Sequence, residues 1–329
     1  MSVLVMIEHD RGDVAPVALE AMGFARSLDD LVHALVIGVA GEALAATLGA
    51  YGAEVVHLAT GDLLGDYGPE TWGHTLAHLV GSVAHEVVVA GGTDVGNEVM
   101  AHAAALLDVA FAANCVAHSA DSAVTGDVAG EAPITLTRVR WGGSLLEVAE
   151  LTGSPRMLTV SPHSADGSPA EAPREGRVEA FQPDLDSSLA RSVVVDRVER
   201  AAGVTLATAP VVVGGGRGVG SADGFAPLEE LAAELGGVVG CSRAVTNNGW
   251  RNHTDQVGQT GTRIAPDLYM ACGISGAIQH WVGAMASKRI LAVNTDRDAN
   301  MVTKADYAVI GDLHEVIPAI TAEVRRRRG

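Results

Sequence analysis

Two glycine-punctuated stretches in the last third of the chain put polar side chains where they can meet a ligand. The first is Gln256-Val257-Gly258-Gln259-Thr260-Gly261, where an amide and a hydroxyl stand between glycines that allow close backbone approach. The second is Gly273-Ile274-Ser275-Gly276-Ala277, which follows a strand-like run and leads into Ile278, Gln279 and His280. Three kinds of chemistry fit the second. As a G-x-S-x-G elbow it makes Ser275 a nucleophile toward an acyl carbon. The acid and base must then be Asp296 or Asp298 with His314, and His314 lies two residues into the last helical pattern, a poor place from which to reach Ser275. As a phosphate cradle, a helix begins at Ser275, and its unpaired amides hold an anion while Gln279 and His280 face the same ligand. As a plain bend, Ser275 caps the helix and His280 is a core histidine.

Two arginines stand at matching places. Val211-Val212-Val213 runs into a glycine cluster that ends at Arg217, and Cys241-Ser242-Arg243 ends a second strand-like run. A guanidinium at the carboxyl edge of a strand offers a rigid fork of donors to an anion and can stack on a planar ring. The glycines do not make a dinucleotide fingerprint, because Val219 falls where G-x-G-x-x-G requires its third glycine. His74 and His78 share a helical face at i, i+4 with His85 as the nearest third ligand, but the Glu of H-E-x-x-H is missing. They read as surface residues, and no metal is expected there.

The elements that must position these groups are short β-branched runs alternating with Ala- and Leu-rich helical patterns, the mark of parallel sheets covered on both faces. Strands are expected at 3–7, 33–39, 54–58, 86–90, 134–140 and 156–160, and helices near 14–27, 42–48, 70–83 and 97–107. Residues 161–186 lose periodicity and read as an exposed connection. A strand at 192–198 precedes a second series, with strands at 210–213, 238–241, 268–272, 289–293 and 307–310, a helix at 224–235 and a final helix near Asp312. The fold class is therefore α/β with two doubly wound parallel-sheet domains. The first, Rossmann-like and partner-facing, spans 1–190, and the second spans 205–329. Ligands bind at the carboxyl ends of such strands, where the unusual residues sit.

Composition narrows the partners. Hydrophobic residues make up 48% of 329 with only 4% aromatic, so the cores are aliphatic. Three cysteines without CxxC spacing exclude a disulfide framework. No apolar run of membrane-spanning length and no leader pattern is evident, so a soluble, cytoplasmic protein is expected. The formal charge is −18. Residues 205–329 hold 12 basic and 12 acidic side chains, so the whole deficit lies in the first 204. Such a surface repels nucleic acid and anionic membranes.

Taken together, SRAV from Ser242, DQVGQTG from Asp255, LYMACGISGAIQH from Leu268, then AVNTD and ADYAVIGDLHEVIP resemble the signature series of the electron-transfer flavoprotein alpha subunit, in order and with that family's spacing from Pro210 to Pro318. The opening VLVMIEHDRG resembles the start of that family, and between about Ala59 and Asp186 the likeness is architectural. The resemblance implies an FAD-binding second domain and a heterodimer with a beta subunit that carries AMP or a second FAD. It also implies an electron carrier with no substrate turnover of its own, fed by acyl-CoA and related dehydrogenases in fatty acid oxidation and emptied by a membrane quinone oxidoreductase. Carried over residue by residue, Arg243 lies against the isoalloxazine and favours its reduced form, Thr260 bonds near N5, and His280 bonds near the C2 carbonyl. Ser275, Gly276, Ala277 and Ile278 cradle the pyrophosphate with Arg217 and Ser242 assisting. Val257, Gly258, Gln259, Gly261 and Gln279 line the flavin and ribityl region, and Asn294, Asp312 and Leu313 hold the adenosine end. No catalytic or metal-ligating residue is implied.

The lopsided charge makes one prediction independent of any ligand. Added salt screens self-repulsion, so the melting temperature should rise between low and high salt in thermal unfolding; a fall would refute it.

Overall fold

The computed structural model describes residues 2–10, 12–38, 41–119, 133–143, 145–195 and 204–328. The chain separates into two compact units, residues 1–140 with 145–198, and residues 199–329 with the hairpin tip 141–144.

The first unit runs β1 (Val3–Ile7), a two-residue-strand hairpin β2 (His9–Asp10) and β3 (Asp13–Val14), α1 (Pro16–Leu28), β4 (Val32–Ile37), α2 (Gly41–Ala50), β5 (Ala53–Ala59), α3 (Pro69–Ser82), β6 (Val87–Gly91), α4 (Asp94–Leu107), β7 (Phe111–Ser119), β8 (Ile134–Arg140), β9 (Leu145–Leu151), β10 (Arg156–Val160) and β11 (Arg177–Phe181). Its nine-stranded sheet has the order β11-β5-β4-β1-β6-β10-β7-β8-β9. Pairing is parallel except where β8 runs antiparallel to β7 and β9. The central strand β1 shows why its residues are apolar without alternation. Val3, Val5 and Ile7 pack under α1 and α2, while Leu4 and Met6 pack under α3 and α4, so both faces are buried.

Three departures from the sequence reading have physical causes. Phe111–Ser119 is a strand although only Val116 in it is β-branched; pairing with β10 and β8 overrides weak propensity. Residues 161–186 are more than a connection, since Arg177–Phe181 pairs parallel with β5 and closes that edge with charged residues. Residues 192–195 form no strand, and 196–198 lie outside the described residues. Val193 and Val195 are exposed there; β-branched side chains do not make a strand without an edge to pair with.

The second unit runs β12 (Val211–Gly215), α5 (Ala226–Leu235), β13 (Val238–Cys241), α6 (Arg243–Asn247), β14 (Leu268–Cys272), α7 (Ile278–Ala284), β15 (Ile290–Asn294), α8 (Asn300–Lys304), β16 (Tyr307–Ile310) and α9 (Leu313–Arg328). The sheet order is β13-β12-β14-β15-β16, all parallel. Val213, Phe225, Leu228, Leu231, Met270 and Ile317 form one core, and Val212, Tyr269, Ala271, Ile290, Ala292 and Met301 form the other. Helix α5 opens with proline in its first turn and stops at Gly236 in the left-handed region, a favoured start and stop. From β12 the chain steps outward to β13, then returns to lay β14 on the opposite side. A crevice therefore opens between the carboxyl ends of β12 and β14. No helix of the described residues is long and apolar enough to cross a membrane.

Because Leu4 is wholly buried between β1 and the α3–α4 layer, Leu4→Ala should cost about 2–5 kcal/mol in urea unfolding. A loss well below 1 kcal/mol would show that this layer closes over the missing methyls.

Candidate functional site

All five strands of the second unit deliver their carboxyl ends to one cleft of about 450 Å³. The turn after β12 supplies Arg217 and Gly218; β13 supplies Ser242, Arg243 and Ala244; β14 supplies Gly273 through Ala277. Asn294, Thr295 and Asp296 follow β15, and Gly311, Asp312 and Leu313 follow β16. The wall is completed by Gln256 to Thr260, Gln279, His280 and Ala299.

The floor is made by backbone meeting backbone. Gly216 N–H donates to Cys272 O at 2.8 Å and Gly218 N–H to Gly273 O at 3.1 Å. A Cβ on Gly216 would sit 2.1 Å from Gly273 O, so only glycine lets the two turns approach this closely. Gly273 and Gly276 have φ of 63° and 79°, and a Cβ at Gly276 would meet Met301 N at 2.4 Å. The amides of Ser275, Gly276, Ala277 and Ile278 donate to no acceptor among the described residues. Helix α7 begins at Ile278 with Ala277 as its cap, not at Ser275 as the sequence suggested. The left-handed Gly276 cannot continue an α-helix backward, so the free amides belong to a nest ahead of the helix as well as to its first turn.

Deeper in the cleft, His280 is 7% exposed and its Nε2 lies 2.7 Å from the hydroxyl of the fully buried Tyr269. Tyr269 has no other hydrogen-bond partner among the described residues, so its O–H is satisfied there only by donating to Nε2. That places the imidazole proton on Nδ1, which is buried and meets no acceptor in hydrogen-bond geometry. Burial pushes the His280 pKa down to about 4, with the Val257 backbone acting weakly the other way. The ring is thus a neutral donor at physiological pH. An orphaned buried N–H costs about 1–3 kcal/mol, which a ligand carbonyl facing Nδ1 would recover.

The polar loop from Gln256 to Thr262 is held on three sides. Val257 N–H donates to Cys241 O at 2.8 Å, Gln259 N–H to Gln279 O at 2.7 Å, and Thr262 N–H to Gln256 O at 2.7 Å. Gln256, only 1% exposed, takes a bond from Thr246 Oγ1 at 3.0 Å and gives one to Thr260 Oγ1 at 2.9 Å, which orients the threonine hydroxyl. Arg243, the first residue of α6, and Arg217 are exposed and carry no carboxylate partner among the described residues. At the far side the Asn294 amide donates to Ile274 O at 3.0 Å, and Asp312 Oδ1 accepts from His314 N–H at 2.9 Å, capping α9.

Of the residues singled out from sequence, Gly261 and Ile278 do not line the cleft, while the other fifteen do. Gly261 packs behind the loop, where a Cβ would be 2.2 Å from Gln256 O, and the Ile278 side chain is half exposed. Gln256, Gly273, Ile274, Thr295, Asp296 and Ala299 line it without having been singled out as binding residues. Gln256, Gly273 and Ile274 stand in the two quoted stretches and Asp296 is weighed only as a triad acid, whereas Thr295 and Ala299 carry no signal. The hydrolase arrangement does not form among the described residues: the Ser275 hydroxyl has no histidine partner there, and the backbone of His314 is tied to Asp312. His74 and His78 build no metal site among the described residues, and the His78 ring packs edge-on against Phe181.

Chemically, the cleft can hold an elongated, partly anionic ligand with a planar, carbonyl-bearing end, and it offers no activated nucleophile. The family model described as electron transfer flavoprotein domain matches residues 3–186, and the one described as electron transfer flavoprotein FAD-binding domain matches residues 205–285. The electron transfer flavoprotein subunit alpha of Thermoanaerobacterium thermosaccharolyticum is 35% identical over 98% of both chains. The chain belongs to the electron transfer flavoprotein alpha-subunit family. The subunit alpha of Bacillus subtilis is similar at 34% over 98% of this chain and 97% of its own, and protein FixB of Bradyrhizobium diazoefficiens at 37% over 99% and 89%. In this alpha-subunit family member the first sheet, the strands β12 to β14 of the second, and the cleft's loops through Gln279 and His280 thus fall within matched regions.

For His280 the depressed pKa fixes the sign of a pH effect. The unfolded state takes up its proton below the ordinary value of 6.5, whereas the folded state resists until about 4. Its contribution is therefore complete above 6.5 and lost as pH falls toward 4. His280→Gln should flatten the fall in stability across that window in urea titrations at stepped pH; an unchanged slope would mean that the ring titrates normally.

Proposed function

We propose that this chain is the FAD-holding alpha subunit of a heterodimeric electron transfer flavoprotein, acting as an electron carrier rather than as an enzyme with its own substrate. The observation that carries the reading is the convergence, on one cleft, of the free amides of Ser275, Gly276 and Ala277, two guanidinium groups without a carboxylate partner among the described residues, and the buried Nδ1–H of His280. Those groups match a dinucleotide's pyrophosphate and the carbonyl edge of a flavin ring. FAD, when bound, supplies the capacity to take and release electrons one at a time.

The work of this chain is to hold and bias that group. The amides at Ser275–Ile278, with Arg217 and Ser242, bind the pyrophosphate without a counter-charge having to be brought in from solvent. His280 holds its proton at Nδ1 because Tyr269 occupies Nε2, and so donates toward the flavin C2 carbonyl. Thr260, aimed by Gln256, donates near N5. Arg243 lies against the ring, where a fixed positive charge stabilises added electron density. Gln259 and Gln279, with Val257 and Gly258, orient the ring and ribityl chain, and Asn294, Asp312 and Leu313 hold the adenosine end. In this reading the first unit meets a beta subunit carrying AMP or a second FAD. Acyl-CoA and related dehydrogenases donate electrons, a membrane quinone oxidoreductase accepts them, and the complex works in the cytoplasm.

Chain co-expressed with its beta partner should purify yellow, with one FAD per alpha subunit. Arg243→Ala should keep the flavin yet lower its midpoint potential by about 60 mV, a tenfold change in a one-electron equilibrium. Colourless protein that hydrolyses esters through Ser275 would overturn the reading, and an unchanged potential would remove Arg243 from it.

A further inference from the structure

Three histidines far apart in sequence converge in the first unit, away from the cleft. His33 stands on β4, His57 on β5 and His85 just ahead of β6. His57 pairs in register with Leu35, two residues from His33, so both rings lie on the sheet face that packs under α3 and α4. One nitrogen from each ring lies within 4.8 Å of the other two. His33 Nδ1 and His57 Nε2 are 3.2 Å apart, and the His85 ring stands edge-on to both.

We propose that His33, His57 and His85 form a binding site for one zinc-class divalent cation that ties the start of β4, the middle of β5 and the segment ahead of β6 together.

The geometry of the ring nitrogens supports this. In a tetrahedral zinc site with Zn–N near 2.0–2.1 Å, neighbouring ligand nitrogens lie about 3.3 Å apart. The His33–His57 pair, hydrogen-bonded to each other without an ion, already has that spacing, and bringing the His85 nitrogen in from within 4.8 Å needs a movement of at most about 1.5 Å. Two of the outer nitrogens face polar atoms, one of them at hydrogen-bond distance. His57 Nδ1 lies 3.6 Å from a Glu179 carboxylate oxygen, and His85 Nδ1 lies 3.3 Å from Ser2 Oγ. His85, 3% exposed, keeps its Nε2 buried with no partner, a lone pair or N–H left unused where neither water nor protein meets it.

The electrostatics agree. Burial lowers the pKa of all three rings, that of His85 to about 4; His33 further depresses His57, and both depress His85. All three are therefore neutral, the state that donates lone pairs to a metal. Glu54 and Glu179 bring negative charge to the cluster, and Arg177, paired with Glu179, opposes it. His33 is the ring partly open to solvent, so water can take the fourth position and the ion has an entry path. Imidazole donors and a four-coordinate site favour zinc over magnesium or calcium, which prefer oxygen.

The test uses the untagged full-length chain, stripped with a chelator and titrated with zinc chloride. We expect one zinc per chain by calorimetry and elemental analysis, and X-ray absorption should show three imidazole nitrogens at about 2.0 Å. His33→Asn and His57→Gln should each weaken binding at least about 100-fold, while His78→Ala leaves it unchanged. The absorption spectrum of the unmodified chain decides the matter even if the buried His57 variant fails to fold. Absence of stoichiometric zinc, an oxygen-dominated shell, or binding that survives both substitutions would overturn the proposal.

Discussion

The candidate site depends on two turns approaching each other without side chains between them. Gly216 and Gly218, after β12, lie against Gly273, after β14, and the chain's parallel strands leave no other way to bring Arg217 and the Ser275 amides to one crevice. A single methyl at Gly216 would overlap a carbonyl oxygen. The same closeness leaves four amides unspent, because Gly273 and Gly276 bend the chain through the left-handed region before α7 can begin. An array of N–H groups facing a cleft is costly in a bare protein and useful to an anion. That asymmetry is what makes the crevice a binding site rather than a seam.

The second constraint is buried polarity with a single outlet. Tyr269 lies wholly inside the sheet's core and can give its proton only to His280. A hydroxyl that no ligand reaches thereby determines which face of an imidazole donates into the cleft. Gln256 does the same for Thr260. In both cases a residue behind the wall sets the direction of a hydrogen bond in front of it, which suits tuning a bound group better than turning over a substrate.

The first unit pays attention to burial differently. Its central strands are apolar on both faces, and the imidazoles of His33, His57 and His85 interrupt the layer beneath α3 and α4. The i, i+4 pair His74 and His78 has a spacing that a helix brings together locally, and it reads as surface residues with no metal expected. The converging set is instead assembled across parallel strands, whose neighbours lie tens of residues apart.

Much of the architecture was legible in order of residues alone. Strand–helix alternation, aliphatic runs bounded by glycine, and the Gly-x-Ser-Gly turn before Gln279 and His280 specify an α/β chain with its polar groups at strand ends, because local backbone preference and two-sided burial write directly into composition. Tertiary structure alone decided the rest. Phe111–Ser119 and Arg177–Phe181 are strands because an edge awaited them, and residues 192–195, richer in valine, are not. The start of α7 at Ile278, the hidden role of Gln256, the tautomer of His280 and the meeting of three histidines all arise from contacts between distant segments, and such contacts leave no periodicity for a linear reading to find.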